Sequence, residues 1–257
     1  MKIYGYVEKG MGKTECQDRV LIGDTILAGG FLSADYEGDG NLLVAVADGV
    51  GGNPGGERAS LLAVDSIRVL NRRTELVEED VKQLLSYTNG QILRAGQLTP
   101  GMEQMATTLT AFVMNQEKAL SIHIGNCRLC TYKKYLKALT KDQTAVADMV
   151  SRGELTREEA LVSPIRNQIN ACLGGGREEY FQALQIETQD SVSAQGSNLL
   201  LTCDGIHDYV GEEELERLLL SAGEAQTVCR SMAETARKNG SLDDISIILV
   251  DRMGRYQ

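Results

Sequence analysis

The sequence predicts an α+β fold in which helices cover β-sheets. Hydrophobic residues switch repeatedly between the two-residue spacing of strands and the three-to-four-residue spacing of helices. The strand-like segments are many, and the helix-like segments come in pairs. This grouping is typical of sheets covered by helices. The chain has 257 residues, and we expect one domain over 1–257.

The N-terminal half is predicted to begin with strands and to continue with two helices. Residues 2–8 and about 19–28 have strand-like spacing, and the apolar run Asn41–Ala47 is typical of a fully buried strand. A glycine-rich loop follows. The next helix places apolar residues at spacings of three and four from Ala59 onward, and a second helix runs from about Val77 to Gln97.

The C-terminal half is predicted to contain an antiparallel meander, an insertion, and then more strands and helices. Three strands form the meander, namely TTLTAFVMN, KALSIHIG and a partner that starts near Cys127. Residues 140–176 are polar and glycine-rich, which indicates a mobile insertion over the core. The later elements are strands at about 179–187, Asn198–Cys203 and Ile245–Asp251, and two helices within 211–238.

Composition limits the possible partners and compartment. The formal net charge of −10 disfavours nucleic acid and anionic membranes as partners, because like charges repel at long range. No apolar stretch approaches the roughly 20 residues of a membrane span, and the first ten residues lack the apolar core of an export signal. Six cysteines spread over a chain of this size do not suggest a disulfide scaffold. We therefore expect reduced thiols and a cytoplasmic protein.

Aspartates at the ends of predicted strands are the main candidates for chemistry. Two buried strands run into Asp48–Gly49 and Asp204–Gly205, and the pair Asp243–Asp244 precedes the last strand. Carboxylates that converge at a sheet edge repel one another unless a cation lies between them, which predicts a divalent metal site. Oxygen ligands favour magnesium or manganese over zinc. The alternative is that each Asp-Gly pair is a common turn dipeptide.

Other interpretations of the same segments are weaker. The loop from Gly49 to Gly56 is followed by Glu57–Arg58, where a Walker A loop needs Lys and Ser or Thr. A dinucleotide fingerprint needs glycine at the position of Pro54. An aspartyl-phosphate phosphatase carries a second aspartate after its first strand, but Val46 stands two residues before Asp48.

The cysteine pair and the two histidines carry little functional signal. Cys127 and Cys130 lie three apart on a predicted strand, so we expect them on opposite faces as buried thiols and not as chelators. His123 has the spacing of a packed strand residue. His207 lies three residues after Asp204, near enough for proton transfer, but we favour a structural role.

Six motifs together resemble the metal-dependent protein phosphatases of the PPM family, type 2C. Each motif alone is weak, but their order and distances match the family over nearly the whole chain. The motifs are ECQD (15–18), VAVADGVGG (44–52), MATTL (105–109), IGNCR (124–128), LLLTCDG (199–205) and LDDISIIL (242–249).

The resemblance implies a fold and a site. The fold would be two packed antiparallel sheets flanked by pairs of helices, with 140–176 as the flap of bacterial members. Asp48 would bridge two Mn²⁺ or Mg²⁺ ions, and the Gly49 carbonyl would bind one of them. Asp204 and Asp243 would hold the other, and Asp18 would orient metal-bound water. The implied reaction is direct attack of a metal-bridging water on the phosphorus.

Three positions depart from the family pattern. Lys13 stands where members usually carry an arginine that grips the substrate phosphate, and an ammonium lacks the planar fork of a guanidinium. Val50 replaces the histidine proton donor of eukaryotic members. Asn126 replaces an aspartate that, in the family, helps to hold a third, weaker ion.

The resemblance implies a cytoplasmic hydrolase acting on phosphoserine and phosphothreonine. Its partners would be phosphorylated proteins, including a cognate serine/threonine kinase and its substrates. The net charge separately argues against nucleic acid and membrane as partners. The alternative is a pseudophosphatase that binds phosphoproteins without turnover. Retention of Asp48, Asp204 and Asp243 argues against the alternative, while Lys13 and Asn126 leave it open.

Overall fold

Two antiparallel sheets lie at the centre of the computed structural model, which describes residues 1–38, 40–52, 54–189, 196–221 and 223–256. The strands described are β1 Lys2–Glu8, β2 Arg19–Ile22, β3 Thr25–Leu27, β4 Gly30–Asp35, β5 Leu42–Ala47, β6 Ala106–Thr107, β7 Leu109–Met114, β8 Ala119–Ile124, β9 Arg128–Tyr132, β10 Leu136–Ala138, β11 Leu173–Gly174, β12 Gln185–Gln189, β13 Asn198–Thr202 and β14 Ile245–Asp251. Across the described residues, one six-stranded sheet has the order β10-β9-β13-β14-β1-β4 and the other β12-β8-β7-β5-β2-β3. A small sheet joins β6 and β11.

Paired helices cover the outer face of each large sheet. The helices are α1 Gly56–Ile67, α2 Glu78–Gln97, α3 Ala145–Ser151, α4 Arg157–Leu161, α5 Asp204–His207, α6 Glu212–Leu219 and α7 Ala225–Lys238, with 3₁₀ turns at Arg68–Arg72 and Glu178–Ala183. Helices α1 and α2 pack on the sheet that contains β5, and α6 and α7 pack on the sheet that contains β14. The predicted α+β class is therefore confirmed as a four-layer sandwich. Among the described helices, none is both long and apolar enough to cross a membrane.

The central strands are apolar on both faces because each is covered twice. On β5, Leu43 and Ala45 face the helices, whereas Val44 and Val46 pack against the opposite sheet. Strand β14 alternates in the same way between its helix layer and the space between the sheets. This double burial explains the continuous apolar runs in the sequence.

The meander predicted from the sequence has only two of its three strands. Strands β7 and β8 pair as expected, but β9 pairs with β13 in the other sheet. The chain crosses between the sheets at Gly125, which has a φ of +110° and a Cα so close to Thr108 that a Cβ would lie 2.5 Å from its Cγ2. As predicted, Cys127 and Cys130 face opposite layers and are buried.

Other differences from the predicted elements have local causes. The strand predicted at 19–28 breaks into β2 and β3 at Gly23, whose φ is +57°. The edge strand β4 was not predicted, since its residues are only partly buried. The strand predicted at 179–187 begins only at Gln185, because Glu178–Ala183 forms a 3₁₀ turn.

The insertion at 140–176 is only partly separate from the core. Its first part contains the short helices α3 and α4. Its last residues return to the layer under α1 and α2, where Ala171 and Leu173 are fully buried and β11 pairs with β6. The insertion therefore ends earlier than the sequence pattern indicates.

Candidate active site

Five strand ends meet at one end of the sandwich. Residue Arg19 of β2 pairs with Ala47 of β5 in one sheet. In the other sheet, Ile247 of β14 pairs with Thr202 of β13, and Ile245 pairs with Glu8 of β1. The predicted site residues flank these ends, so the topology brings together aspartates that are far apart in the sequence.

The backbone of Asp48 is held by two threonines, the last residue of β6 and the residue after it. The Thr108 N–H donates to the Asp48 carbonyl at 2.8 Å, and the Asp48 N–H donates to Thr108 Oγ1 at 3.1 Å. Thr107 Oγ1 donates to the same carbonyl at 2.9 Å. These contacts fix the backbone, so the carboxylate is presented from a rigid support. The motif MATTL thus acts on Asp48 from the neighbouring strand, a role that the sequence alone did not reveal.

Gly49 is required by close packing. A Cβ at this position would lie 2.6 Å from the backbone of Gly56 and 2.8 Å from the Cβ of Gln17. The Gly49 N–H donates to the Gln17 carbonyl at 3.2 Å. The loop before β2, the end of β5 and the start of α1 can therefore meet here only because position 49 has no side chain.

Asp204 lies where β13 passes into the single turn α5. The Asn126 amide donates from Nδ2 to Asp204 Oδ2 at 2.9 Å, while Asp204 Oδ1 is buried without a hydrogen-bond partner. A Cβ on Gly205 would lie 2.0 Å from the Asp244 carbonyl oxygen. In both Asp-Gly pairs, therefore, the glycine packs so closely against neighbouring backbone that a side chain would not fit.

Asp243 and Asp244 have different surroundings. Asp243 is partly exposed and forms an ion pair with Lys13. Asp244 is buried; its Oδ1 accepts the Gly10 N–H at 2.7 Å, and its Oδ2 accepts the Gln17 N–H at 2.8 Å. The sequence identified Asp243–Asp244 as a candidate acidic pair. It did not reveal that Asp244 holds the loop between β1 and β2 through two backbone N–H groups.

Asp18 lies behind the other aspartates and is fully buried. Both of its carboxylate oxygens are buried without a hydrogen-bond partner at normal distance and angle, although the side chains of Ser246 and Cys203 lie beside them. Burial raises the pKa of Asp18 to about 7, and the charge of Asp244 adds to the effect. A buried carboxylate with no donor is costly unless something else compensates for its charge.

The aspartates are close enough to repel one another. Burial, followed by the charges of Asp18, Asp204 and Asp243, raises the pKa of Asp48 well above its ordinary value. Burial and the charge of Asp243 also raise the pKa of Asp204. Unpaired buried oxygens and mutual repulsion are what a site for a hard cation requires, so the donor set fits Mn²⁺ or Mg²⁺.

The carboxylates of the candidate site are near one another but do not converge on one common position. Within the described residues, no group of three or more His, Cys, Asp or Glu side chains is arranged to hold one metal ion. The Lys13 ammonium instead contacts Asp243 and lies 3.0 Å from Asp244 Oδ2. Burial alone would lower the pKa of Lys13, but the hydrogen bonds and charges of these two aspartates raise it.

His207 is a structural residue here. Its Nδ1 lies 2.9 Å from Thr202 Oγ1, and its Nε2 is buried without a partner. Burial lowers its pKa well below the ordinary histidine value, so the ring is neutral near pH 7. His123 is likewise buried, between Thr110 Oγ1 and the Lys141 carbonyl. These positions agree with the structural roles expected for both histidines.

The sequence is similar to that of bacterial phosphatases. Residues 14–246 match the family Protein phosphatase 2C. The serine/threonine phosphatase stp of Listeria monocytogenes is 28% identical over 223 residues, which cover 83% of this chain and 86% of that protein. The serine/threonine protein phosphatase PstP of Mycobacterium tuberculosis is 30% identical over 221 residues, which cover 82% of this chain and 40% of that protein.

Solved structures share the fold. Stp1 of Staphylococcus aureus superposes with a TM-score of 0.80 at 22% identity and covers 98% of this chain and 95% of its own. PstP of M. tuberculosis gives a TM-score of 0.78 at 26% identity, with 98% and 99% coverage. A PstP catalytic domain in complex with two manganese ions gives a TM-score of 0.75 at 25% identity, with the same coverage. With the sequence match over 14–246, this agreement shows that the chain belongs to the protein phosphatase 2C family.

Proposed function

We propose that this chain is a metal-dependent phosphatase that removes phosphate from phosphoserine and phosphothreonine in proteins. The observation that carries the proposal is the group of mutually repelling aspartates, Asp18, Asp48, Asp204 and Asp243, at one end of a protein phosphatase 2C sandwich. The relatives in L. monocytogenes and M. tuberculosis are named serine/threonine phosphatases, which supports this substrate class.

The proposed metal ligands are the carboxylates of Asp48, Asp204 and Asp243 and the carbonyl of Gly49. Oxygen donors of this kind suit Mn²⁺ or Mg²⁺, and the PstP catalytic domain is known in complex with two manganese ions. Two bound ions would lower the pKa of a water molecule between them and neutralise charge on the phosphoryl oxygens. A third, weaker ion beside Asn126 belongs to the same proposal.

Two further residues have proposed roles in the reaction. The buried oxygens of Asp18 lack hydrogen-bond donors, so they can accept hydrogen bonds from water at the other aspartates and orient it. The Lys13 side chain is partly exposed and can present its ammonium to the substrate phosphate. Water is the proposed nucleophile, because Asp48 is assigned to the ions and Val46 replaces the second aspartate of aspartyl-phosphate enzymes.

The proposed biological setting follows from the substrate class. The partners would be phosphorylated proteins, among them a cognate serine/threonine kinase and its substrates. All six cysteines are free and buried, which supports a reducing compartment such as the cytoplasm. Residues 1–257 would act as one catalytic domain, with the part of 140–176 that precedes Ala171 as its flap.

Phosphate release from a phosphothreonine peptide and from an aryl phosphate, measured against Mn²⁺ concentration, tests the proposal. We expect release that depends on Mn²⁺, stops with a chelator and is lost in Asp48→Asn. Asp35 is an exposed aspartate away from the site, so the variant Asp35→Asn is the matched control and should behave as wild type. A folded wild-type protein that releases no phosphate at any Mn²⁺ or Mg²⁺ concentration would favour the pseudophosphatase alternative.

A further inference from the structure

We infer that Lys13 is a tethered counter-ion of Asp243 that competes with a metal ion for this carboxylate and thereby sets how much metal the protein needs. The inference rests on the proposed function in one respect, the assignment of Asp243 as a metal ligand. It assigns Lys13 a role in metal affinity, in addition to its proposed contact with substrate phosphate.

The contact is direct and partly shielded from water. The Lys13 ammonium hydrogen bonds to Asp243 Oδ1 and lies 3.0 Å from Asp244 Oδ2. The side chains of Lys13, Asp243 and Asp244 are 27%, 36% and 1% exposed. Because Asp244 is buried, water and salt screen this group of charges less than a surface ion pair. The attraction between the ammonium and the two carboxylates is therefore stronger than at the surface.

The loop that carries Lys13 is anchored on both sides of it. Asp244 accepts the N–H of Gly10 with one oxygen and the N–H of Gln17 with the other. Gly10 also packs tightly, since a Cβ there would lie 2.6 Å from the Leu242 carbonyl oxygen. The ammonium is therefore held near Asp243 by the backbone and does not depend on its own ion pair to stay there.

Asp243 is also positioned independently of Lys13. The Asp244 N–H donates to Asp243 Oδ1 at 2.8 Å, and Arg237 Nη1 donates to the Asp243 carbonyl at 2.6 Å. Only the lysine side chain has to move if the carboxylate changes partner. The backbone on both sides of the contact can remain as it is.

The charge balance makes Lys13 the natural competitor of a metal ion. Among the described residues, Lys13 is the cation that forms salt bridges with Asp243 and Asp244. No Lys, Arg or His of the described residues forms a salt bridge with Asp18, Asp48 or Asp204. A divalent cation on Asp243 would lie a few ångströms from the ammonium, where two positive charges repel strongly. Binding of the ion therefore requires displacement of Lys13, and the lost ion pair weakens the apparent metal affinity.

Direct Mn²⁺ binding, followed by the electron paramagnetic resonance signal of free Mn²⁺, tests the inference without reference to activity. Lys13→Met should bind Mn²⁺ about three- to tenfold more tightly than wild type, the range expected for a partly shielded pair. The control Lys82→Met removes the same charge from an exposed site on α2 and should leave the affinity unchanged. Metal-free Lys13→Met should also melt at a lower temperature, because Asp243 and Asp244 lose their cation. Lys13→Gln, which keeps a donor, serves if the methionine variant does not fold.

The outcomes separate this inference from the proposed function. If Asp48→Asn loses Mn²⁺ binding while Lys13→Met and Lys13→Gln bind as wild type or more weakly, the counter-ion role is wrong and the metal site stands. If Asp48→Asn binds Mn²⁺ as wild type does, the proposed metal site is wrong and the counter-ion role falls with it.

Discussion

The Asp244 carboxylate accepts a 2.8 Å hydrogen bond from the backbone N–H of Gln17, which lies 227 residues earlier in the chain. Its other oxygen accepts the N–H of Gly10 at 2.7 Å. One buried side chain therefore fixes both ends of the loop that carries Lys13 and leads to Asp18. The position of two proposed site residues depends on a residue that has no proposed contact with the substrate.

Asp244→Ala is expected to destabilise the protein by about 2–4 kcal/mol, because two backbone donors lose their acceptor. The same change should lower activity, since the loop loses its anchor. Urea unfolding of the metal-free protein measures the first effect. Asp35→Ala, an exposed aspartate on β4, is the control and should unfold within about 0.5 kcal/mol of wild type. Equal stabilities of Asp244→Ala and wild type would show that the loop is held by other contacts.

The three proposed carboxylate ligands should be essential for activity but not for folding. Asp48→Asn, Asp204→Asn and Asp243→Asn should each lower Mn²⁺-dependent hydrolysis by more than about 100-fold, beyond the usual effect of losing an outer-shell partner. In metal-free Asp48→Asn the melting temperature should not fall, because burial and then repulsion from neighbouring aspartates raise the pKa of Asp48, so its charge is already unfavourable there. A variant with near-full activity at saturating Mn²⁺ and a normal melting curve would remove that residue from the ligand set.

Lys13 should affect substrate binding more than turnover. At saturating Mn²⁺, Lys13→Ala should raise KM by about tenfold with a smaller effect on kcat, because a charge-assisted contact to phosphate is lost. Lys13→Arg should preserve or lower KM, since a guanidinium can bind phosphate with two parallel hydrogen bonds. Unchanged kinetic constants in both variants would mean that Lys13 does not touch the substrate.

Asp208 should make the metal-free protein less stable as the pH rises. Burial and the charge of Asp204 raise the pKa of Asp208 to about 7. The folded state therefore binds this proton more tightly than the unfolded state, whose pKa is about 3.9. Stability should fall between about pH 4 and pH 7 and then level off. Asp208→Asn should flatten this fall and stabilise the protein at pH 8 by on the order of 2 kcal/mol.

Chelator-treated wild type, Asp208→Asn and Asp35→Asn, unfolded in urea across this pH range, provide the measurement. Asp35 is exposed, so its variant should follow the wild-type curve. Parallel curves for all three proteins would show that Asp208 is not the group responsible.

The sequence predicted most of the central fold because burial leaves a local pattern. Apolar runs revealed β5 and β14, and spacing of three and four revealed α2. The edge strand β4 lacks such a pattern, since it is only partly buried. The transfer of β9 to the other sheet depends on packing between Gly125 and Thr108, which no local spacing records.

The candidate site was predictable in its residues but not in its contacts. The Asp-Gly pairs follow apolar strands, and a sheet edge brings such strand ends together, so Asp48 and Asp204 stand out in the sequence. The ion pair between Lys13 and Asp243 joins residues 230 positions apart and depends on how Asp244 folds the first loop. Thr108 holds the Asp48 backbone from 60 residues later in the chain, which is again a long-range contact.

Asn126 provides a test of the third ion that the family resemblance implies. Its amide donates to Asp204 Oδ2 at 2.9 Å, so position 126 already lies beside a proposed metal ligand. An aspartate at this position would replace a donor with a second negative charge, and hard divalent ions depend on such charge for affinity. Asn126→Asp should therefore raise the rate at modest Mn²⁺ and lower the Mn²⁺ concentration needed for half-maximal activity.

The same substitution should destabilise the metal-free protein, because two carboxylates would then face each other where an amide now donates a hydrogen bond. Asn126→Ser, which restores no charge, is the control for loss of the amide and should not lower the Mn²⁺ requirement. The alternative is that Asn126 serves the turn after Gly125. Rate measured against Mn²⁺ concentration distinguishes the two roles: superimposable curves for wild type and Asn126→Asp would leave only the turn, whereas a shift toward lower Mn²⁺ in the aspartate variant alone would place an ion beside Asp204.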